Sequence, residues 1–246
     1  MWIFNRNKGV FLADIIPDGF VDIHNHILPG IDDGAASTSD SIELITQLKE
    51  LNISRFIATP HNIEGVWEND PEKVNNSLQN LVNEKDFPLI ETDIKASSEY
   101  MLDKRLSDLL ENKKVVPIKE RYLLVEMSYF AAPLNLYELI FDIQNYGYTP
   151  ILAHPERYNF LHGNMKEYKK LKQVGCLFQL NLIALTGYYG FGPKMASEEL
   201  LSAQLYDYVG TDAHHVRHTS ALKGKIIVKK SEILKPLIQA NTFFSF

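Results

Sequence analysis

Short β-rich apolar runs recur along the chain, and after each comes a longer stretch whose apolar residues repeat at helical spacing. That alternation is the signature of parallel strands joined by crossover helices. Strands are expected at residues 21–24, 55–59, 94–97, 122–126, 150–153, 177–181 and 208–210. Within residues 39–51, Ile42, Ile45, Leu48 and Leu51 recur every three residues, one apolar stripe of a helix packed on a sheet. Comparable helices are expected at 71–85, 102–110, 134–146, 166–174 and 194–205, with a helical C-terminal region interrupted at Pro236. A chain of 246 residues, 45% hydrophobic, can bury one large core, and no repeat or linker divides it. One domain over 1–246 is the expectation, with 1–19 as an N-terminal extension.

Several β/α units in a chain of this length make a barrel or a doubly wound sheet, and either puts its ligands at the carboxyl ends of strands. His24, His61, Glu99, Glu126, His154 and Asp212 all fall at or just beyond such an end. One cluster on one face of the sheet is the economical explanation.

In Asp22-Ile-His24-Asn-His26, two imidazoles two residues apart leave a strand end together and can turn toward one ion. Taken alone the pair is a weak signal, because His-X-His also arises by chance. Asp32-Asp33-Gly34 follows, offering Asp33 on a tight loop, although an ordinary Asp-Gly turn has the same sequence. Pro60 cannot continue a central ladder, so it marks the end of the second strand and turns His61 out of the sheet. Glu99 and Glu126 sit beside apolar residues, where a carboxylate is costly unless paired or metal-bound. For Glu126 a salt bridge to Arg or Lys remains an alternative, and His154 in Ala153-His154-Pro155-Glu156-Arg157 can equally be a satisfied core residue. Asp212-Ala-His214-His215 again sets a carboxylate and an imidazole two apart. Nitrogen and oxygen donors without thiolate suit Mn²⁺, Fe²⁺ or Zn²⁺ better than a structural zinc site. His162, His215 and His218 are expected at the surface or behind the ligands.

Composition narrows the partners. Net charge is −6, so no basic footprint invites nucleic acid. Cys176 stands alone, which excludes an intrachain disulfide framework and fits a reducing compartment. The N-terminal residues lack a signal-peptide core, and no stretch approaches the roughly 18 apolar residues of a membrane span. The cytoplasm is the expected location, without membrane insertion.

The motifs DIHNHILPGIDDG, ATPH, SSEY, LVEMS, AHPERY and GTDAHH occur in this order across residues 20–218 and resemble the PHP (polymerase and histidinol phosphatase) superfamily. Within it, the chain is most similar to the bacterial tyrosine phosphatases of capsular and exopolysaccharide gene clusters. The resemblance implies a distorted (β/α)₇ barrel with three divalent metal ions at its carboxyl mouth, manganese or an iron-like metal, with zinc also possible. By matching motifs, His24, His26, Glu99 and Asp212 would hold the first ion, with Glu99 bridging to a second on Glu126 and His154. Asp33, His61 and His214 would hold the third. Carboxylates at Asp33 and Glu126, where other members carry His, favour the tyrosine phosphatase branch over the histidinol phosphatase branch. Arg157 corresponds to a phosphate-binding arginine, and Arg217 is the nearest candidate for a second. The implied substrate is a phosphotyrosine protein, the tail of a bacterial tyrosine kinase. Residues 39–51 lack the Glu/Arg-rich assembly motif of some streptococcal members, so no oligomeric state is carried over.

Under that resemblance the ions activate water for in-line attack on phosphorus, while Arg157 and the metals neutralise phosphoryl oxygens. His214 or His215 could protonate the leaving phenolate. A cysteine phosphatase needs an arginine six residues after its nucleophile, and Leu182 stands there after Cys176. Competing readings are a small-molecule phosphatase such as histidinol phosphatase, a non-catalytic scaffold, and a metal-dependent nuclease. The loop 186–193, with Tyr188, Tyr189 and Phe191 among glycines, is either an apolar wall at the mouth or a surface loop whose aromatics pack down.

Overall fold

The computed structural model describes residues 9–87, 92–228 and 231–246. Residues 1–8 of the expected N-terminal extension lie outside the described residues. The rest of that extension packs down: Val10 bridges Ile226, and Leu12 is buried in a single 3₁₀ turn.

The chain runs through α1 (Thr38–Lys49), β1 (Arg55–Ala58), β2 (His61–Asn62), α2 (Pro71–Val82), β3 (Asp93–Ala96), β4 (Glu99–Met101), α3 (Lys104–Glu111) and β5 (Tyr122–Glu126). It continues through α4 (Leu136–Asn145), β6 (Thr149–Ala153), α5 (Met165–Gln173), β7 (Leu177–Asn181), α6 (Phe191–Ser202), β8 (Tyr208–Gly210), α7 (Val216–Leu222) and α8 (Ser231–Ala240). Side-chain caps start several helices: Ser37, Asp70, Asp103 and Asn164 each accept a backbone N–H three residues on, and Pro71 opens α2.

All paired strands are parallel, in the order β2-β4-β5-β6-β7-β8 with a separate β1-β3 pair. The pair is not a second layer. Ser97 N donates to Ala58 O (2.8 Å) and Glu99 N to Pro60 O (3.0 Å), so β1 runs on into β2 and β3 into β4 past a break in each. The strand expected at 21–24 does not form a ladder. Instead Asp22 bridges Phe56 and Asn25 bridges Ala213, so one short segment bonds β1 with its first half and the residues after β8 with its second. Backbone bonds from Ile57 N to Asp22 O (2.9 Å) and from Asp212 N to His24 O (2.7 Å) hold the two seams. A segment that changes neighbour midway cannot build a continuous ladder with either. It does close the ring, giving seven strand positions and a distorted (β/α)₇ barrel.

Period-two alternation sorts the strand residues. Leu123, Val125, Leu152, Phe178, Leu180 and Val209 face the helices in the large outer core. Leu124, Ile151 and Ala153 join Val21, Ile23, Ile57, Ile118 and Phe244 in a small cluster on the opposite face, inside the ring. Other expectations need correction. α7 was not expected, its seven residues being too few for a clear period. α6 begins at Phe191 rather than 194, because Pro193 is tolerated in a first turn. α8 runs through Pro236 instead of breaking there: the ring costs one backbone bond, but Leu234 and Ile238 are fully buried on either side. His61 and Glu99 follow the ends of β1 and β3 as expected, and past the breaks at 59–60 and 97–98 each also opens a short continuation, β2 and β4.

Candidate metal centre

The inward column of each strand changes character toward its carboxyl end. On β5 it reads Tyr122, Leu124, Glu126; on β7, Leu177, Gln179, Asn181; after β8, Asp212. His154 and Asp212 hold left-handed backbone angles (φ 35° and 52°), uncommon for residues other than glycine, and these turn the chain at the mouth. Two glycines are required by close approach. A Cβ at Gly210 would lie 2.6 Å from His24 Cβ, and one at Gly34 would lie 2.2 Å from His26 O.

All nine residues proposed as ligands from the sequence come together. Four overlapping groups each bring donor atoms within 4.8 Å of one another: His26, Asp33, His61 and His214; His24, Glu99 and His154; His24, His26 and Asp212; His61, Glu99 and Glu126. Glu99 is central, with Oε1 3.2 Å from His24 Nε2 and 3.0 Å from His154 Nε2, and Oε2 3.0 Å from His61 Nδ1. Asp33 is half exposed, its Oδ1 3.5 Å from His61 Nε2 and 3.4 Å from His214 Nε2. Among the described residues Glu126 has no Arg or Lys partner; its Oε1 lies 2.7 Å from His61 Nδ1.

The donor set fits cations. His24 Nδ1 meets Gln179 Oε1 at 2.8 Å, and that amide is oriented by its Nε2 donating to Leu180 O (2.6 Å). His26 Nδ1 meets Asp32 Oδ2 at 2.7 Å, and His214 Nδ1 meets the Asp212 carbonyl at 2.9 Å. Each of these Nδ1 atoms faces an acceptor and so carries the proton, leaving Nε2 as a lone pair, the outer-shell pattern of metal-bound histidine. The His24 and His26 Nε2 atoms are 3.4 Å apart, and both face Asp212 Oδ1, at 3.3 and 3.4 Å. Glu99 Oε2 and Asp212 Oδ1 are buried without a hydrogen bond. His61 Nδ1 cannot satisfy Glu99 Oε2, because its one proton is directed at the nearer Glu126. Lone pairs converging on lone pairs require positive charge between them.

Electrostatics agree. Burial disfavours the imidazolium of His24, yet the carboxylates of Glu99 and Asp212 outweigh it and raise the pKa to about 9. Burial and the charge of Glu99 push the Glu126 carboxyl up to about 7. Burial pushes His154 down to about 4. Burial also opposes ionisation of Asp212, but His24 and Arg157 hold it well below the usual carboxylate range.

Arg157 Nη1 donates to Asp212 Oδ2 at 2.6 Å, rather than to its neighbour Glu156. Glu156 is buried separately, accepting from Asn181 N (2.8 Å) and the Tyr206 hydroxyl (2.9 Å). Arg217 is exposed in α7 and makes no ion pair with a candidate ligand among the described residues. His218 Nδ1 accepts from His214 N (3.2 Å), behind a candidate ligand, whereas His162 Nε2 donates to the carbonyl of Glu156 (2.7 Å), a residue outside the candidate ligand set. In the aromatic loop, Tyr189 covers Arg157, Tyr188 packs on His218, and Phe191 is exposed. Cys176 is buried in the outer core, and burial pushes its thiol up to about 12.

Sequence reasoning missed the residues that orient the ligands. Asp32, Gln179, Asn181 and Trp67 hold or cover them: Asn181 Nδ2 donates to Asp212 Oδ2 at 2.6 Å, and Trp67 stacks on His61 with centroids 5.1 Å apart. Asp22 accepts from Thr211 N (2.9 Å), tying the first segment to the end of β8. Gln179 and Asn181 carried a signal, polar residues on the inward period of an otherwise apolar strand.

Fold and site together define a β/α barrel with a metal-competent cluster of His, Asp and Glu at its carboxyl mouth. The chain belongs to the CpsB/CapC family of capsular polysaccharide synthesis, whose model matches residues 20–230. Among its relatives, the tyrosine-protein phosphatase YwqE of Bacillus subtilis (strain 168) is 32% identical over 201 residues, covering 80% of this chain and 78% of that one. The tyrosine-protein phosphatase CpsB of Streptococcus pneumoniae is 29% identical over 205 residues, covering 80% and 83%. A solved structure, from work on YwqE and CpsB described as unique metal-dependent tyrosine phosphatases, superposes with a TM-score of 0.76 at 29% identity, covering 88% of this chain and 86% of that one.

Proposed function

We propose that this chain is a metal-dependent protein-tyrosine phosphatase. The observation that carries the reading is the set of Nε2 lone pairs and unbonded carboxylate oxygens of Glu99 and Asp212 converging beside Arg157. His24, His26, Glu99 and Asp212 would hold one divalent ion, Glu99 would share a second with Glu126 and His154, and Asp33, His61 and His214 would hold a third. Such donors suit Mn²⁺ first, with iron or zinc as substitutes. Bound divalent ions supply Lewis-acid polarisation of phosphoryl oxygens and activation of a water nucleophile.

The chain's own residues do the rest. Arg157, with one N–H on Asp212, has further donors for phosphoryl oxygens. Arg217 is the second proposed phosphate contact, supported by resemblance and by its place beside His215. His214, its Nδ1 proton committed to the Asp212 carbonyl, serves as a ligand and not as an acid. A tyrosine phenolate, with an ordinary pKa of about 10, leaves with less help than an alkyl alcohol. The substrate class follows the relatives' activity and the family's link to capsular polysaccharide: phosphotyrosine on the tail of a bacterial tyrosine kinase that controls capsule or exopolysaccharide synthesis. Among the described residues no helix is long and apolar enough to cross a membrane. A cytoplasmic enzyme working as one domain completes the proposal.

Chelator-treated protein is expected to lose hydrolysis of a phosphotyrosine peptide and to regain it best with Mn²⁺. Full turnover by metal-free protein, or a preference for histidinol phosphate, overturns the assignment.

A further inference from the structure

Arg157 is held from several directions. Its guanidinium carbon lies 4.6 Å from the Tyr129 ring centroid and 4.1 Å from that of Tyr189. Tyr129 follows β5, Arg157 follows β6 and Tyr189 follows β7, so the loops of both neighbouring strands lean on the arginine between them. Nη1 is fixed by Asp212 Oδ2, itself fixed by Asn181. The other guanidinium N–H groups donate to no described residue, although the side chain is only 19% exposed. A cation lying over two aromatic rings, with one anchored nitrogen and vacant donors, is preorganised for an acceptor arriving at those donors.

We propose that Tyr129 and Tyr189 form an aromatic clamp that positions Arg157 for a phosphoryl oxyanion. They are positioning residues, and the proposal rests on the phosphatase reading of the site. The ring faces matter and the hydroxyls do not. Among the described residues, Tyr129 Oη and Tyr189 Oη make only contacts at the 3.5 Å limit, to His154 Nε2 and Asn181 Nδ2. The face each ring turns to Arg157 is closed to a substrate ring, so the clamp recognises the phosphate through the arginine and leaves the tyrosine of the substrate to other walls.

The test uses metal-loaded, full-length protein and calorimetric titration with inorganic phosphate. Tyr189→Leu is expected to weaken phosphate binding about tenfold, within the range of a partly desolvated cation–π contact, and to lower kcat/KM for an aryl phosphate in parallel. Tyr189→Phe should stay within about threefold of wild type, because it keeps the face. Metal content and Tm measured on the same preparations separate the effect from misfolding, and Tyr129→Leu with Tyr129→Phe repeats the test from the other loop. In an Arg157→Ala background, Tyr189→Leu should cost nothing further. Wild-type phosphate affinity in both folded, metal-replete Leu variants overturns the clamp. So does a Phe variant as weak as its Leu counterpart, or a loss that persists in full without Arg157. If the clamp results hold while wild-type protein fails to hydrolyse phosphotyrosine, the activity reading falls and the clamp stands.

Discussion

Both ends of the barrel bury polar groups, on opposite terms. At the amino ends of the strands, Asn241 is fully buried and both ends of its amide are used: Nδ2 donates to Val21 O (2.9 Å) and Val209 O (2.8 Å), and Oδ1 accepts from Val209 N (3.0 Å). Tyr122, Tyr208, Phe243 and Phe244 pack edge to face around the same end. At the carboxyl ends, Glu99 and Asp212 are as deeply buried, yet each keeps an oxygen without a hydrogen bond. A satisfied buried amide is neutral or stabilising, whereas an unsatisfied buried carboxylate oxygen costs free energy that only a ligand offsets. Burial of a polar group therefore does not mark a site; at Glu99 and Asp212 the mark is a buried carboxylate oxygen left unpaired among imidazole nitrogens.

The contrast can be broken at either end. The largest effect is expected for Glu99→Gln, which removes the charge shared by the whole mouth. Its kcat/KM on a phosphotyrosine peptide should fall by at least about 10²- to 10³-fold, the scale of losing one transition-state electrostatic contact, with bound metal falling alongside. Undiminished activity would mean that the unpaired oxygens are incidental. Asn241→Ala should do the reverse, leaving Val209 N unpaired in the interior. Chemical denaturation should show a loss of about 2 kcal/mol, with kcat/KM and metal content intact. Metal loss in that variant would show that the two ends are coupled rather than separate. The smallest effect belongs to Cys176→Ser, in the outer core and at neither end. The folded thiol, raised to about 12 from an ordinary 9, is protonated in folded and unfolded chains alike below pH 9. Its ionisation favours unfolding only above that pH, so from pH 5 to 8 the stability profile of the variant should run parallel to wild type. Turnover should be unchanged, and a folded but inactive variant would revive cysteine chemistry.

The alternation of strand and helix was legible because each element needs only local pattern. So was the gathering of the candidate ligands: His24, His26, His61, Glu99, Glu126, His154, Asp212 and His214 stand at or near strand ends or breaks, where period and polarity change together. What escaped is non-local. That residues 22–25 serve two neighbours depends on where β1 and β8 lie in space, which no short window contains. That Asp32 orients His26 while Asp33 faces His61 depends on the turn, since the two residues are chemically identical. Arg157 was expected at the phosphate, but its partner Asp212 lies 55 residues away and its aromatic neighbours come from two other loops.

The seam formed by residues 22–25 also sets an order of events. Its bonds to Ile57 and Arg55 can form early, but those that fix His24 and His26 reach Asp212 and Ala213, nearly the whole chain later. During synthesis the two imidazoles must therefore wait, unanchored on one side, until β8 has emerged, and loop closure over such a span is slow. Completion of the candidate metal cluster is thus a late step. A nascent chain that stops short of Tyr208 carries most of the candidate ligands and none of the closure that aligns them.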